Sequence, residues 1–465
     1  MPFGVRVRTE IAALWHLAWP ILVGQLATIG MAVTDVTMAG HASAQDLAGV
    51  SLGASIWTLI ILTIMGLAMA VNPLVAHHVG AKAPAHVAHL VRQALWKALL
   101  LGCIASALAL LAIPVFMQMG LEPQVAYVAT HFVIITSAAL PAFSAYRVLY
   151  GYSTSLNQTK PMMVIALLAC AINGLLDYLL VNGNAGFPRL GGVGCAWATL
   201  TAVWLQLLAL LWWMQRSPAY RSTWPLAQFE WPERRTLTQL FRLGLPIGLT
   251  YFAESSAFSL IALLIARFGS TQVAAHAIAL NFSSLVFMVP LSLGLALLTR
   301  VGHSLGAGRP DEARFRAWVG VGFALLVACV SACGMAWGHQ AIANAYTSDA
   351  RTAALAARLL VLAALFQLPD CAQVVASCAL RGYRQTRLPM VLHLLAFWGC
   401  AMPLGFYWGR APNWFGTHPA LPLGAQGFWS GLIVGLSVAG AGLLWLLKTV
   451  SHAPAARHDH TMTAP

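Results

Sequence analysis

Three acidic residues stand alone in long apolar runs, where a carboxylate could hold a proton or a small cation away from bulk water. Glu254 lies about midway along residues 243–266, LGLPIGLTYFAESSAFSLIALLIA. Asp35 is the only formal charge between Ile11 and Gly40, and Asp370 the only one between Leu359 and Leu380. A charge at the bilayer centre costs about 2.5 kcal/mol or more, so such acids should face a bundle interior or a wet cavity and mark a transport pathway. The competing explanation for each is a carboxylate buried for packing and satisfied by backbone or hydroxyl groups.

Helical spacing gives each acid company. Gln367 and Gln373 lie three residues either side of Asp370, and Thr250 and Phe258 four either side of Glu254, so each set shares a face. If Glu254 and Asp370 meet at low dielectric, they must share a proton or take up a cation such as sodium. In the first half, Asn173 and Asp177 are four residues apart and could join Asp35, with Thr199 adding a hydroxyl. An oxygen-rich cluster of that kind suits a hard cation or a proton relay. Asp177 falls near a helix end, where a solvated charge is the alternative. Asp349 follows Ser348 at the start of a helix and reads as an N-cap. Methionines and aromatics such as Met31, Met65, Met69, Trp57, Phe258 and Met288 could line an adaptable cavity, although ordinary core or lipid-facing roles are commoner.

The elements that must position these groups are membrane helices. Of 465 residues, 59% are hydrophobic and 8% charged, with a mean hydropathy of +0.75, which places the chain among polytopic helical membrane proteins. Arg6 and Arg8 precede a long apolar run that contains Asp35 and no small-residue cleavage site, so a first span is expected there rather than a signal peptide. The net charge of +13 is not read as nucleic-acid binding, because the basic residues follow the membrane. The eight cysteines lie in apolar spans without ligand spacing, and neither disulfides nor zinc are expected. His77 and His78 are read as solvated at a helix end.

Twelve spans are expected, near 11–38, 46–76, 91–117, 123–153, 161–182, 192–215, 239–267, 272–303, 313–338, 350–380, 388–409 and 425–448, each long enough for a core of about 30 Å. With the N-terminus inside, 21 of the 26 Lys and Arg, Lys97 and Arg381 among them, fall on cytoplasmic segments or helix ends. That asymmetry orients the protein with both termini cytoplasmic.

The chain also repeats itself. At an offset of 226, Pro20 aligns with Pro246, His77 with His303, Gly80 with Gly306 and Pro84 with Pro310; at 228, Leu140–Pro141 aligns with Leu368–Pro369 and Pro161–Met162 with Pro389–Met390. Gly191 and Gly194 match Gly424 and Gly427. The expected organisation is an N-terminal six-helix lobe at 1–215, a cytoplasmic linker at 216–238, a C-terminal six-helix lobe at 239–450 and a disordered tail at 451–465. An even number of helices per half makes the repeat parallel, with a pseudo-two-fold axis along the membrane normal. The acids break the symmetry: Glu254 falls on Thr28, Asp35 on Ile261 and Asp370 on Ala142. Gly80 and Gly306 are read as C-terminal helix caps.

Several segments resemble the multidrug and toxic compound extrusion (MATE) family, closest to its bacterial NorM-type branch. They are MAVTDVTMAGHASAQDLAGVSLGASIW from Met31, LVRQALW from Leu90, LGGVGCAWAT from Leu190, YFAESSAF from Tyr251 and LPDCAQVVASCALRGYRQT from Leu368. The resemblance implies an all-α fold of two six-helix lobes forming a V. It also implies an antiporter that expels cationic amphipathic compounds in exchange for inward sodium or protons. Residue by residue it implies ion coupling at Glu254, Asp370, Asp35, Asn173, Asp177 and Thr199, with Glu254 and Asp370 as the ligands of a coupling Na+. Substrate contact is expected at Asp35, Asp349, Glu254, Phe366 and Gln373. Phe366 stands where an aromatic hydroxyl is common in this branch, which leaves the choice of ion open. No enzymatic role, no cofactor beyond the coupling ion and no nucleic-acid partner are expected; the partners are small cationic drugs or toxins and the bilayer, and the chain is expected to act as a monomer.

Two other readings compete. A lipid-linked precursor flippase should present Arg or Lys to a diphosphate, whereas the basic residues here are expected at cytoplasmic ends. An intramembrane enzyme would need a nucleophile paired with a base, or a metal triad, and no spacing supports one.

Overall fold

The computed structural model describes residues 2–410 and 423–452; the tail expected at 451–465 lies outside the described residues from residue 453 onward. The described residues are helical with no strand among them. Eleven helices are long and apolar enough to cross a membrane, and a bent pair completes the twelve expected spans. In chain order they are α1 (Phe3–Ala42), α2 (Ala44–Gly80), α3 (Pro84–Gln118), α4 (Pro123–Ser137 with Leu140–Ser155, bent by 48°), α5 (Lys160–Asn182) and α6 (Gly192–Arg216). The second six are α7 (Arg234–Phe268), α8 (Ser270–Gly306), α9 (Pro310–Tyr346), α10 (Ala350–Gly382), α11 (Arg387–Gly409) and α12 (Ala425–Ser451).

Local chemistry sets the ends. Pro84, Pro123 and Pro310 open helices, where a missing N–H costs nothing. Ser43 and Asp349 cap α2 and α10 by accepting from the amides of Asp46 and Thr352. The internal repeat reaches the turns. Residue Lys82 (φ 54°) and its equivalent Gly308 (φ 70°) take the left-handed conformation after α2 and α8, with Ala83 N donating to His78 O and Arg309 N to Ser304 O. The left-handed position of this turn is therefore two residues beyond Gly80 and Gly306, which end their helices in ordinary conformation. Gly191 and Gly424 likewise share a conformation, at φ 56° and 55°.

The chain divides into two compact units, residues 19–248 and residues 1–18 with 249 onward, so the cuts pass through α1 and α7. In the first unit, small residues let helix axes approach: a Cβ on Gly30 would lie 3.3 Å from Cys170 Sγ, and one on Gly194 2.9 Å from the backbone of Leu180 and Val181. This brings α1, α5 and α6 together around Asp35. In the second unit α10 is the central helix, buried over much of its length, with α8, α9 and α12 packed on it. The α11–α12 seam is made of glycines four residues apart: a Cβ on Gly427, Gly431 or Gly435 would meet α11 within 2.4 Å. That is the small-residue packing by which helices associate in lipid. α11 itself carries a π-helical stretch, Leu395–Ala401.

Candidate functional site: two buried carboxylate clusters

In the first unit the cluster is assembled from three helices. Asp35 on α1 is 9% exposed, and Asn173 and Asp177 on α5 are fully buried. Asn173 Nδ2 donates to Asp35 Oδ1 at 3.1 Å and Thr199 Oγ1 to Asp35 Oδ2 at 2.9 Å, so each carboxylate oxygen has one donor. Cys195 Sγ, one turn before Thr199 on α6, donates to the Asp35 carbonyl at 3.4 Å. Asp177 stands at hydrogen-bonding range of Asp35 and of the Cys195 thiol. Neither of its carboxylate oxygens has a geometrically sound donor, and Asn173 Oδ1 has none either. Two carboxylates in contact repel unless a proton or cation lies between them. Three buried acceptor atoms without donors make this a site with a deficit of positive charge, and the interior rather than the solvated reading applies to Asp177.

In the second unit Glu254 on α7 is half-buried and Asp370 on α10 is 3% exposed. They lie within electrostatic reach of one another, and no hydrogen bond joins them. Asp370 Oδ1 accepts from Gln373 Nε2 at 3.1 Å, and Gln373 Oε1 faces His393 Nε2 of α11 at 2.5 Å. Phe366, one turn before Asp370, is buried against Phe258 and Trp429, with ring centroids 6.3 and 5.6 Å away. It meets both rings edge to face and offers the acid no oxygen. Thr250 is buried one turn before Glu254.

Asp349 is exposed and belongs to neither cluster. Its Oδ2 accepts from Thr352 N at 2.9 Å and Thr352 Oγ1 at 2.6 Å. These bonds hold its carboxyl below the ordinary aspartate value, as an N-cap should.

Three groups escape the sequence reading. Arg381 and Lys97, assigned there to cytoplasmic segments or helix ends, are 5% and 2% exposed. Arg381 hydrogen-bonds the Tyr251 side chain, sits over its ring at 5.4 Å and lies within electrostatic reach of Glu254, so the second cluster does contain a buried base. Lys97 Nζ donates to the carbonyls of Leu67 (2.9 Å) and Leu240 (3.0 Å). His393, 2% exposed, has both ring nitrogens in hydrogen bonds. His77 is buried at 6% rather than solvated. All eight cysteines are free thiols.

The MatE family's sequence model matches the chain twice, over residues 20–179 and 246–407. The second match begins 226 residues after the first and ends 228 after it, the offsets of the internal repeat. The chain is 43% identical over 446 residues to the multidrug resistance protein PmpM of Pseudomonas aeruginosa, covering 96% of this chain and 92% of that one. It is 39% identical over 446 residues to the probable multidrug resistance protein NorM of Chromobacterium violaceum, covering 96% and 95%. Its fold matches that of the eukaryotic MATE transporter AtDTX14, with a TM-score of 0.87 at 19% identity over 98% of each chain. It also matches an outward-facing multidrug resistance MATE family transporter of the MOP superfamily, at 0.84 and 18% over 95% and 96%. A doubled profile, relatives over nearly the whole length and a shared twelve-helix fold lead to one assignment: this chain belongs to the MatE family of multi-pass membrane transporters.

Proposed function

We propose that the chain is a secondary active antiporter that exports cationic amphipathic compounds in exchange for inward protons or sodium by alternating access. The observation that carries this reading is the meeting of Asp35 and Asp177, two buried acids in contact with three donor-less acceptor atoms around them. Such a site binds a proton or a hard cation, and loses it when a competing positive group arrives. Asn173 and Thr199 hold Asp35 in position by one hydrogen bond to each oxygen. Glu254 and Asp370 form the second coupling site, with Gln373 orienting Asp370 and Phe258 and Phe366 offering ring faces to an apolar cation.

The relatives named as multidrug resistance proteins support the cargo class. The engagement of the buried bases supports it over a lipid-linked anion: Lys97 is committed to two backbone carbonyls and Arg381 to Tyr251. The basic residues of the loops support an inner-membrane orientation with both termini in the cytoplasm. The reading assigns no enzymatic step to the chain.

Transport in proteoliposomes with sodium and proton gradients imposed separately tests it. Ethidium efflux driven by one gradient, and abolished by Asp35→Asn with membrane abundance unchanged, is the expected result. Efflux unaffected by both gradients would overturn the reading.

A further inference from the structure

The first unit holds a cavity of about 390 Å³ at the end where α6 begins, opposite the α6–α7 segment. The α1–α2 turn, the start of α4 and the loop into α6 line it, with Ser43, Asp46, Gln124, Tyr127, Arg189 and Gly191 at its wall. None of these residues belongs to either carboxylate cluster.

Asp46 is the group that the scaffold leaves over. It is 8% exposed; its Oδ2 accepts from Ser43 Oγ at 2.9 Å, and its Oδ1 has no donor among the described residues. The internal repeat shows what the position needs for structure alone. At the offset of 226 Asp46 falls on Gln272, just as Gly191 matches Gly424. Each side chain lies against its glycine: a Cβ on Gly191 would stand 2.9 Å from Asp46 Oδ2, and one on Gly424 3.2 Å from Gln272 Nε2. In the second unit Gln272 Oε1 accepts from Ala425 N at 3.1 Å, so a neutral amide closes the start of α12. The first unit puts a carboxylate in the same place and leaves one oxygen unbonded, a buried charge that costs more than the amide would.

Arg189 supplies the opposite sign. It is exposed and forms no ion pair among the described residues. Glu122, the other acid at this end, is also exposed and takes a hydrogen bond from Gln45 at 3.4 Å. The cavity wall thus offers a carboxylate and a guanidinium that do not pair with each other. Such a wall is complementary to a molecule carrying both signs, with ammonium N–H groups for Asp46 and phosphate oxygens for the fork of Arg189. The depth of the cavity points to the source of that molecule. Tyr127 at the start of α4 and Tyr178 at the end of α5 are 52% and 50% exposed, and exposed tyrosines at the ends of membrane helices sit at the level of the lipid headgroups.

We propose that this cavity binds the headgroup of a phospholipid with a primary ammonium beside its phosphate, the phosphatidylethanolamine class, Asp46 accepting from the ammonium and Arg189 holding the phosphate. Selectivity follows from donors and charge. A choline headgroup brings no N–H to Asp46, and a glycerol headgroup brings no positive charge. The site is independent of the coupling reading, and its test reads lipid binding rather than efflux.

Native mass spectrometry tests it on the full chain, released from nanodiscs that hold equal amounts of phosphatidylethanolamine, phosphatidylcholine and phosphatidylglycerol. Wild type should retain phosphatidylethanolamine over each of the others by about 10-fold, the discrimination that one charge-assisted hydrogen bond supplies. Asp46→Asn copies the neutral state of Gln272, keeps an acceptor for Ser43 and should lose the preference. Arg189→Gln changes an exposed side chain and should lower phosphatidylethanolamine retention by a similar factor. Equal retention of the three lipids by wild type, or a phosphatidylethanolamine retention that survives either substitution, overturns the proposal. Soluble glycerophosphoethanolamine forms the second arm, since it carries the same charges without acyl chains. It should leave the bound lipid in place; displacement at equal concentration would assign the cavity to a solute and overturn the lipid assignment.

Discussion

Asp35 of α1 and Asp177 of α5 stand within hydrogen-bonding range of one another inside the first unit, with Asn173 and Thr199 holding Asp35 and no base acting on Asp177 among the described residues. On the coupling role proposed for it, the pair is kept at the expense of stability, because the fold would gain from a donor at position 177. Asp177→Asn supplies that donor and removes the repulsion. Relief of an unsatisfied buried acceptor is worth about 1–3 kcal/mol, so the melting temperature in detergent should stay level or rise by a few degrees. Gradient-driven efflux by the same variant should fall to the level of vesicles without protein. A variant that melts lower and still transports would show the pair to be structural.

Lys97 makes the opposite prediction. Its ammonium is the shared donor for the Leu67 and Leu240 carbonyls and sits 5.0 Å from the centroid of Phe241. Gly244 leaves it the space: a Cβ there would lie 2.8 Å from Nζ and 2.6 Å from Leu67 O. Lys97→Met preserves the stem and removes the donors, at a cost of about 1–3 kcal/mol for each carbonyl left without a partner. Thermal unfolding monitored in detergent should drop by several degrees, and Gly244→Ala should follow it. Unchanged melting of both would mean that neighbouring backbone groups satisfy those carbonyls.

These cases show what the sequence carries and what it withholds. The twelve spans, the repeat and the lone acids are legible because each is a one-dimensional pattern: apolar length, constant offset, a charge where charges are expensive. Asn173 and Asp177 were placeable beside Asp35 because helical spacing puts them on one face. Lys97 and Arg381 were not, since the positive-inside pattern explains a base near a helix end as readily as burial does. His393 lacks any local signal, since its partner Gln373 is twenty residues away on another helix. Only its departure from the repeat, histidine against Ile165, marks it in the sequence. Pairings between helices depend on rotation and depth, which periodicity leaves free.

The glycine seam of the second unit gives a clean contrast in packing. A Cβ at Gly431 would come within 2.4 Å of Gly405 N, whereas one at Gly322 on α9 meets nothing within 4 Å. Overpacking of this kind costs about 1–3 kcal/mol, while an exposed helical glycine gains about 0.5–1 kcal/mol on becoming alanine. Gly431→Ala should therefore lower the melting temperature and Gly322→Ala should raise it slightly. Equal effects would show that α11 and α12 part easily at that crossing.

The segment between α6 and α7 is clasped onto α3 by titratable groups, and its pH response has a definite sign. His89 lies 2.6 Å from Glu230 and 3.0 Å from Glu233, Arg92 pairs with Glu230, and Glu233 N donates to Gln93 Oε1 at 2.7 Å. Burial pushes the Glu230 carboxyl up, but bonds and charge from Arg92 and His89 outweigh it and hold it below the ordinary glutamate value of 4.5. Glu233 is held down chiefly by its bond from Thr236, with His89 adding to it. A carboxyl lowered on folding contributes its full stabilisation above the unfolded value and loses it as pH falls through the lowered one. The clasp should thus hold while both glutamates are ionised and open as pH falls through their lowered values, below the ordinary 4.5. Exchange of the Glu233 amide, corrected for its intrinsic pH dependence, reads this directly. Glu230→Gln should open the clasp at neutral pH and speed trypsin cleavage after the exposed Arg221 several-fold. Opening while both carboxylates are still ionised would show that they do not control the clasp.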